Sequence, residues 1–448
     1  MLGLDLASLA TQGVGAEAQP NAYTGYGINV VCANNLTYPD KIVVFPTKEF
    51  GTFPLLTGVT TKNTMGTIGL ASRVGCPAFV RHSFTQTTMK RRDFLHSSAA
   101  AAAASFVTFD SLSAAESKPK LQFAEGGKFK IAQFTDTHYD SNKKEDCIEA
   151  VRMIEETFDA EKPQCAVYTG DIVVAGNTQE GWNDILAPCI ERKIPYAVVL
   201  GNHDNEHTRL SRREIIEYVS GLPFSVTQLG PENVFGASNY VLEIFDGDNI
   251  ANLLYCLDSN AYPQPPFKGA YDWFHDDQIA WLKKRSEAYT KQSGNPIPAL
   301  AFFHIPLCEY GEMIHHQAVQ ILGNVTQTRK DNRTNMDTAI AGQRFEMECP
   351  GSVNSGMFYA MWLQKDVMGI FVGHDHVNDY VGLFQGIALG YGRWSGTKTT
   401  YGSKQMTHGA RLIELSKDGG RSFKTWIRQR GGQILFDVQV PEDLVKKS

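Results

Sequence analysis

Residues 128–138 have the sequence KFKIAQFTDTH, and this stretch decides the fold. Its apolar body, which runs to Phe134, predicts a buried strand because Gly126-Gly127 precedes it and polar residues follow it. Asp136 and His138 stand two residues apart at the end of that strand. On an extended backbone, residues i and i+2 point to the same side. We therefore expect the carboxylate and the imidazole to reach one point just beyond the strand.

The composition is that of a globular protein. The chain has 448 residues, 42% of them hydrophobic, and a formal net charge of -6, which suits one large domain or two smaller ones. The acidic balance argues against non-specific binding to nucleic acid or anionic membranes, and we expect no nucleic-acid-binding module. No stretch is long and apolar enough for a transmembrane helix of the mature chain. The eight scattered cysteines, without a CxxC pair, favour buried free thiols, and disulfides stay open if the protein is exported.

Residues 89–115 predict a twin-arginine export signal, and hence a periplasmic or secreted protein. The run MKRRDFL from Met89 is followed by an alanine-rich core, with cleavage expected near Ala115; an alanine-rich helix is the alternative. Residues 1–88 have no sustained periodicity. We interpret them as a non-native upstream extension or a disordered segment before a true start at Met89, and a genuinely translated extra region is the alternative. A peptide from residues 1–88 in mass spectra of the natural protein would contradict the upstream extension.

The chain after residue 128 alternates strands and helices. We expect a linker over 116–127, one folded domain over 128–430 and a C-terminal tail over 431–448. The first part of the domain predicts parallel βαβ units with right-handed crossovers. After the opening strand, its elements are a helix at 145–159, a strand at 165–169, a helix at 179–191 and a strand at 196–200. In such sheets, ligands bind at the carboxyl ends of the strands.

The second part predicts another sheet. Its patterns indicate strands at 240–245, 252–258, 299–303 and 367–372, and a helix at 276–288. Residues 311–356 are polar and irregular, which is typical of a long loop over a site. The remaining apolar segments are expected to be antiparallel strands that complete the second sheet; they lie at 380–381, 387–389, 412–415 and 423–427.

Metal-binding side chains follow five of these strands. In chain order the clusters are Asp136-x-His138, Gly170-Asp171, Gly201-Asn202-His203-Asp204, His304 and Gly373-His374-x-His376. A single histidine at a strand end is usually an ordinary polar residue, but five such ends in order are not explained that way. Carboxylate and amide oxygens combined with imidazoles suit Fe, Mn or Zn better than calcium.

These five blocks resemble the calcineurin-like metallophosphoesterase family over essentially all of residues 128–430. The resemblance implies an α/β (α+β) fold, a four-layer sandwich of two mixed β-sheets flanked by helices. It also implies two divalent or trivalent metal ions. The first would be bound by Asp136, His138 and His376, and the second by Asn202, His304 and His374. Asp171 would bridge them.

The resemblance further implies a mechanism. Two metal ions, roughly 3.5–4 Å apart, would polarise the phosphoryl oxygens and lower the pKa of a bridging water, whose hydroxide would attack phosphorus in line. His203 would be a non-ligand residue that protonates the leaving oxygen or stabilises the transition state, with Asp204 orienting it. Asn202, His203 and Arg393 are candidate substrate-binding residues. His207 and His408 are weaker candidates, for which an exposed or core-edge role is at least as consistent with the sequence.

The flanking residues resemble the branch that holds purple acid phosphatase-like proteins of plants and fungi with Asp-x-His in the first block. The segments that carry this likeness are GNHDNE from Gly201, FHIPL from Phe303, VNSG from Val353 and VGHDHVND from Val372. True purple acid phosphatases have a tyrosine ligand where this chain has Val174, and glycine where it has His138. The purple iron–tyrosinate colour is therefore not expected.

The sequence thus predicts a phosphoesterase that hydrolyses small phosphomonoesters. Two alternatives stay open. One is a phosphodiesterase or nucleotide hydrolase on the same site, which the loop residues at 311–356 would decide. The other is a catalytically silent metal-binding module. His315-His316 and Asn354-Ser355-Gly356 are explained equally well as a loop pair and a turn, and Cys308 as a packing residue. The oligomeric state is not predicted.

Overall fold

The computed structural model describes residues 118–316, 323–325, 341–418 and 420–440. The predicted upstream extension, the predicted export signal and the last eight residues of the chain lie outside the described residues. The side chains of His315 and His316 lie outside them as well.

Six strands form the first sheet, in the order β15-β14-β13-β2-β3-β4. They are β2 (Lys128–Phe134), β3 (Cys165–Thr169), β4 (Tyr196–Val199), β13 (Gly409–Ser416), β14 (Phe423–Gln429) and β15 (Ile434–Val440). Strands β2, β3 and β4 run parallel, with Ile131 opposite Cys165 and Ala166 opposite Tyr196. The expected βαβ units are therefore present, and their carboxyl ends share one edge.

Seven strands form the second sheet, in the order β1-β5-β6-β7-β10-β12-β11. They are β1 (Leu121–Gln122), β5 (Tyr240–Asp246), β6 (Asn249–Cys256), β7 (Ala299–Phe302), β10 (Val367–Val372), β11 (Val381–Phe384) and β12 (Ile387–Tyr391). Strands β7 and β10 are parallel neighbours, with Phe302 opposite Phe371. A short antiparallel pair, β8 (Gly323–Val325) and β9 (Gly342–Arg344), forms a separate two-stranded sheet.

Helices cover the outer face of each sheet. The helices are α1 (Lys144–Glu161), α2 (Thr178–Glu191), α3 (Arg212–Ser220), α4 (Asp276–Ser293), α5 (Cys308–His316) and α6 (Met357–Gln364). Ile154 and Phe158 of α1 and Trp182 of α2 are buried with the outer face of the first sheet. Leu282 of α4 and Met361 of α6 are buried with the outer face of the second.

A third apolar layer lies between the two sheets. It joins Phe129 and Ile131 of β2 to Leu254 of β6, Phe302 of β7 and Phe371 of β10. Since burial of apolar surface is the main force that drives folding, these three layers account for the packing of helix, sheet, sheet and helix. The predicted four-layer α/β sandwich is confirmed.

Several details differ from the sequence-based expectation. Strands β13 and β14 join the first sheet, since β13 pairs antiparallel with β2, and β12 runs parallel to β10. The prediction was therefore wrong about the sheet to which β13 and β14 belong and about the direction of β12 relative to β10, because local periodicity carries no information on distant partners. The predicted loop at 311–356 also contains the end of α5 and all of β9. The segments expected as linker and tail contribute the edge strands β1 and β15.

Within the described residues, no helix has the length and apolar character needed to cross a membrane. Six of the eight cysteines lie in this part of the chain, and all six are free thiols. The buried ones are Cys147, Cys165, Cys189 and Cys256, as the sequence favours.

Candidate metal centre

The five polar clusters come together where the carboxyl ends of both sheets meet. Asp136 and His138 follow β2, Asp171 follows β3, and Asn202 follows β4. His304 follows β7 of the second sheet, and Gly373 N–H after β10 donates to the His304 carbonyl at 3.0 Å. Backbone contacts therefore connect the ends that carry the ligand candidates.

The first group consists of Asp136, His138 and His376. Their donor atoms all lie within 4.8 Å of one another, as a shared metal ion requires. His376 Nε2 is 3.4 Å from Asp136 Oδ1. His138 Nε2 is 3.7 Å from Oδ2 of Asp171, which belongs to the neighbouring group.

The second group consists of Asp171, His304 and His374, again within 4.8 Å. His304 Nε2 is 3.1 Å from Asp171 Oδ2 and 3.3 Å from His374 Nδ1. The Asp171 carboxylate thus faces histidines of both groups, which is the position expected of a bridging ligand. All three side chains are buried.

Two buried atoms at this centre test whether metal ions fit the residues. His138 Nε2 and Asn202 Oδ1 have no hydrogen-bond partner among the described residues. A buried polar atom without a partner costs about 1–3 kcal/mol. Both atoms have lone pairs that suit a metal ion, and the Asn202 amide is oriented for this because its Nδ2 donates to the Tyr262 hydroxyl at 3.0 Å. The residues present fit a pair of metal ions.

Hydrogen bonds from behind orient the imidazoles. His304 Nδ1 lies 2.8 Å from the Thr169 carbonyl, and His376 Nδ1 lies 3.1 Å from the Tyr401 carbonyl. Each carbonyl accepts a proton from Nδ1, which leaves the Nε2 lone pair directed into the centre. Such outer contacts fix the tautomer of metal-binding histidines.

The backbone at the strand ends is strained. Asp136, His138, Asp171 and His374 have φ angles of 54°, 46°, 52° and 79°, in the left-handed region that costs non-glycine residues about 1–2 kcal/mol each. The backbone at Asp136 and His138 is therefore not extended. The alternation argument for Asp136 and His138 was wrong, although both side chains do reach one point. Strain of this kind is typical of functional sites.

Gly170 and Gly201 allow the loops after β3 and β4 to approach each other. Gly170 has a φ of +87°, and a Cβ there would lie 2.6 Å from the His304 ring. A Cβ on Gly201 would overlap the Asp171 carboxylate. Any side chain at either position would displace a ligand candidate.

Burial and charge set the protonation of the histidines. Burial lowers the pKa of His138 to about 4 and that of His374 to about 3, so both rings are neutral at pH 7, the form that binds metals. Burial also acts to lower the pKa of His304, but Asp171 and Asp136 outweigh it and raise that pKa to about 9. The negative charge of the Asp171 and Asp136 carboxylates also favours the binding of a cation beside His304.

The structure corrects the expected role of Asp204. Its carboxylate does not contact His203. It accepts four backbone hydrogen bonds, from the N–H groups of Asp171, Ile172, Val173 and Gly201, at 2.7–3.0 Å. The residue against His203 is Glu206, whose Oε2 lies 2.5 Å from His203 Nδ1. The family resemblance implied Asp204 for this role; the contact with Glu206, three residues after His203, depends on the turn between them.

The remaining candidates have other partners. Arg393 is fully buried, and its guanidinium binds Asp379 and the Thr407 carbonyl, so it is not available to a substrate. His408 Nδ1 lies 2.8 Å from the Gly396 carbonyl. Asn354 forms the turn before α6, since its Oδ1 accepts the Gly356 N–H. Of the weaker candidates, His207 lines a cavity together with His138 and His203.

Known proteins resemble this chain in sequence. The family model described as "Calcineurin-like phosphoesterase" matches residues 129–378. An Arabidopsis thaliana protein named "Probable inactive purple acid phosphatase 29" is 30% identical over 351 residues, which cover 69% of this chain and 84% of that protein. "Phosphatase DCR2" of Saccharomyces cerevisiae is 31% identical over 286 residues, 58% of this chain and 46% of that protein. A solved structure of a dimetal phosphatase from Danio rerio has a TM-score of 0.45 at 14% identity, covering 70% of this chain and 98% of that one.

Proposed function

Because this chain belongs to the calcineurin-like phosphoesterase family, we propose that it hydrolyses small phosphomonoesters at a centre of two metal ions. In this proposal Asp136, His138 and His376 hold one ion, and Asn202, His304 and His374 hold the other. Asp171 lies between them. The observation that carries the proposal is the pair of donor groups that face each other across the Asp171 carboxylate.

Fe, Mn or Zn fits this donor set of imidazoles, carboxylates and one amide oxygen. When bound, such ions supply Lewis acidity toward phosphoryl oxygens and a water of lowered pKa. The chain's own residues orient those ions, since carbonyls fix the rings of His304 and His376. They also exclude bulk water, because the ligand candidates are at most 9% exposed.

His203 is the proposed proton donor to the leaving oxygen. Its Nε2 lies 4.0 Å from Asp171 Oδ2, and its side chain is 38% exposed, which lets it contact both the centre and an incoming substrate. A general acid must reach the oxygen that it protonates before its pKa matters. His203 meets that requirement better than the buried histidines.

The space beside His203 supports a small substrate. A cavity of about 310 Å³ lies there, between His138, Lys143 and His207. That volume is at the low end for ligand sites, which span about 300–1,000 Å³. A cavity of this size has room for the one organic substituent of a phosphomonoester, and less room for the two substituents of a diester.

Metal analysis combined with activity assays tests the proposal. We would count metals per purified chain and assay 4-nitrophenyl phosphate beside bis(4-nitrophenyl) phosphate with Mn, Zn and Fe added. About two metals per chain and a preference for the monoester would support the proposal. A preference for the diester would favour a phosphodiesterase, and absence of metal would refute the site.

A catalytically silent metal-binding module is the second candidate. The name of the Arabidopsis relative, which includes "Probable inactive", favours it. Against it, every ligand candidate of the expected set is present here, together with His203 beside the centre. Two bound metals without turnover of either ester would favour this candidate.

We also propose that residues 89–115 direct export to the periplasm or the exterior. The support is the twin arginine of Arg91 and Arg92 with its alanine-rich core. This segment lies outside the described residues.

A further inference from the structure

We propose that Glu206 is the positioning residue of His203, and that the Tyr262 hydroxyl links it to the metal-ligand candidate Asn202. This inference rests on the proposed function and names two residues that the family resemblance did not assign. The four side chains form one chain of hydrogen bonds along the edge of the centre.

The first contact fixes the His203 ring. Glu206 Oε2 lies 2.5 Å from His203 Nδ1, so the carboxylate accepts the Nδ1 proton. The opposite nitrogen, Nε2, then faces the Asp171 carboxylate at 4.0 Å. An imidazole held at one nitrogen presents the other in a defined direction and tautomer.

The second and third contacts run through Tyr262. Its hydroxyl donates to Glu206 Oε1 at 2.5 Å and accepts from Asn202 Nδ2 at 3.0 Å. One hydroxyl therefore holds the other oxygen of the Glu206 carboxylate and the amide of a ligand candidate. Tyr262 therefore links the carboxylate that holds the proton donor to a ligand candidate of the metal centre.

Glu206 is suited to this role because it remains a carboxylate. Partial burial acts to raise its pKa, but the hydrogen bonds from Tyr262 and His203 outweigh burial and lower it. Charge-assisted hydrogen bonds are roughly twice as strong as neutral ones, and each oxygen of the Glu206 carboxylate has such a partner.

The proposed step is a proton transfer to the leaving oxygen. As the bond from phosphorus to that oxygen breaks, the oxygen keeps the electron pair and takes the proton from His203 Nε2. Before the step the ring is an imidazolium with one proton on each nitrogen; the alcohol departs, and His203 becomes neutral with its remaining proton on Nδ1 against Glu206. The attacking water supplies the new oxygen on phosphorus, and the proton that it loses restores Nε2–H.

Leaving groups of different acidity test the role of Glu206. We would compare wild type with Glu206→Gln and His203→Ala, using 4-nitrophenyl phosphate and phenyl phosphate. Phenolate needs protonation more than 4-nitrophenolate does. We expect Glu206→Gln to lower kcat/KM for phenyl phosphate about 10- to 100-fold, the range for outer contacts at metal sites, and to change the 4-nitrophenyl ester much less. The control is Glu232→Gln, the same change at a side chain that is 91% exposed.

Two further measurements separate positioning from a merely structural role. The double variant Glu206→Gln/His203→Ala should be no slower than His203→Ala alone, because residues that act as a unit are not additive. Long-range ¹H–¹⁵N spectra of the zinc-loaded full chain, assigned by loss of the His203 signal in His203→Ala, should show Nδ1–H in wild type and a changed tautomer balance in Glu206→Gln. Tyr262→Phe should shift the same signal.

Three outcomes would overturn the inference: an equal loss on both esters, additive losses in the double variant, or a His203 signal that Glu206→Gln leaves unchanged. If wild type hydrolyses neither ester, the proposed function fails. The spectra then still decide whether Glu206 holds the His203 ring.

Discussion

Asp204 Oδ2 accepts the backbone N–H of Asp171 at 2.9 Å, so one carboxylate holds the backbone that presents the other. We predict that Asp204→Asn destabilises the fold, because an amide nitrogen would face two of the four N–H donors now bound. Each unsatisfied donor costs about 1–3 kcal/mol. Chemical denaturation should show the loss, with a fall in metal content.

The control for that variant is Asp159→Asn, since the Asp159 side chain is 65% exposed and surface ion pairs contribute only about 0–1 kcal/mol. Slower turnover with unchanged stability and metal content in Asp204→Asn would instead return Asp204 to the role of orienting His203.

The bridging position of Asp171 gives a second prediction. Asp171→Asn and His374→Ala should abolish activity with metal lost, because each removes a donor from a buried group. His203→Ala should retain the metals and lose roughly 10²- to 10⁴-fold in turnover, the usual contribution of a general acid. Elemental analysis beside the ester assay distinguishes the two patterns, and a metal-free His203→Ala protein would show that the roles are wrongly assigned.

Metal binding should stabilise the folded chain. A ligand that binds only the folded state adds about 2.7 kcal/mol at a concentration 100 times its Kd. We expect Mn or Zn to raise the thermal midpoint and a chelator to reverse the rise. In Asp171→Asn the same additions should have little effect; an equal rise there would point to binding elsewhere.

The layer between the sheets gives a prediction on stability alone. Ile131 is fully buried in that layer, so Ile131→Ala should lower the free energy of unfolding by about 2–5 kcal/mol. The matched control is Ile148→Ala on α1, where the side chain is 41% exposed. Urea titrations of both variants check the difference, and equal losses would contradict the four-layer packing.

Export is tested by replacing the twin arginine. In a host with the twin-arginine route, Arg91→Lys/Arg92→Lys should leave the protein inside the cell, whereas Lys90→Arg should not. Cell fractionation with an antibody to the chain measures both. Export of the double variant at the wild-type level would refute the signal.

The sequence predicted the parallel strands and the polar clusters well, because both are local. The short apolar run before Gly170-Asp171 predicts a buried parallel strand with Asp171 at its carboxyl end, and β3 has this position in the structure. The allocation of β13 and β14 to the first sheet was not predictable, since strand pairing across more than 250 residues leaves no trace in periodicity.

The sequence predicted the ligand candidates of the centre, but not the residues that orient them. Asp136 and His138 were found for a reason that their left-handed backbone contradicts. The support of His203 by Glu206 depends on the fold of a turn-rich loop, and Tyr262 comes from a distant segment without a motif. Carbonyl groups such as that of Thr169 have no sequence signal, because every residue has one.

Each donor group draws on both ends of the chain: Asp136 and His138 combine with His376, and Asp171 combines with His304 and His374. The strands are interleaved as well, since β5 and β6 belong to the second sheet and β13 and β14 to the first. A chain cut between α4 and β7 would therefore give two fragments that each hold an incomplete set of donors. Reassembly of such fragments would create the complete centre, so metal uptake would report fragment complementation directly.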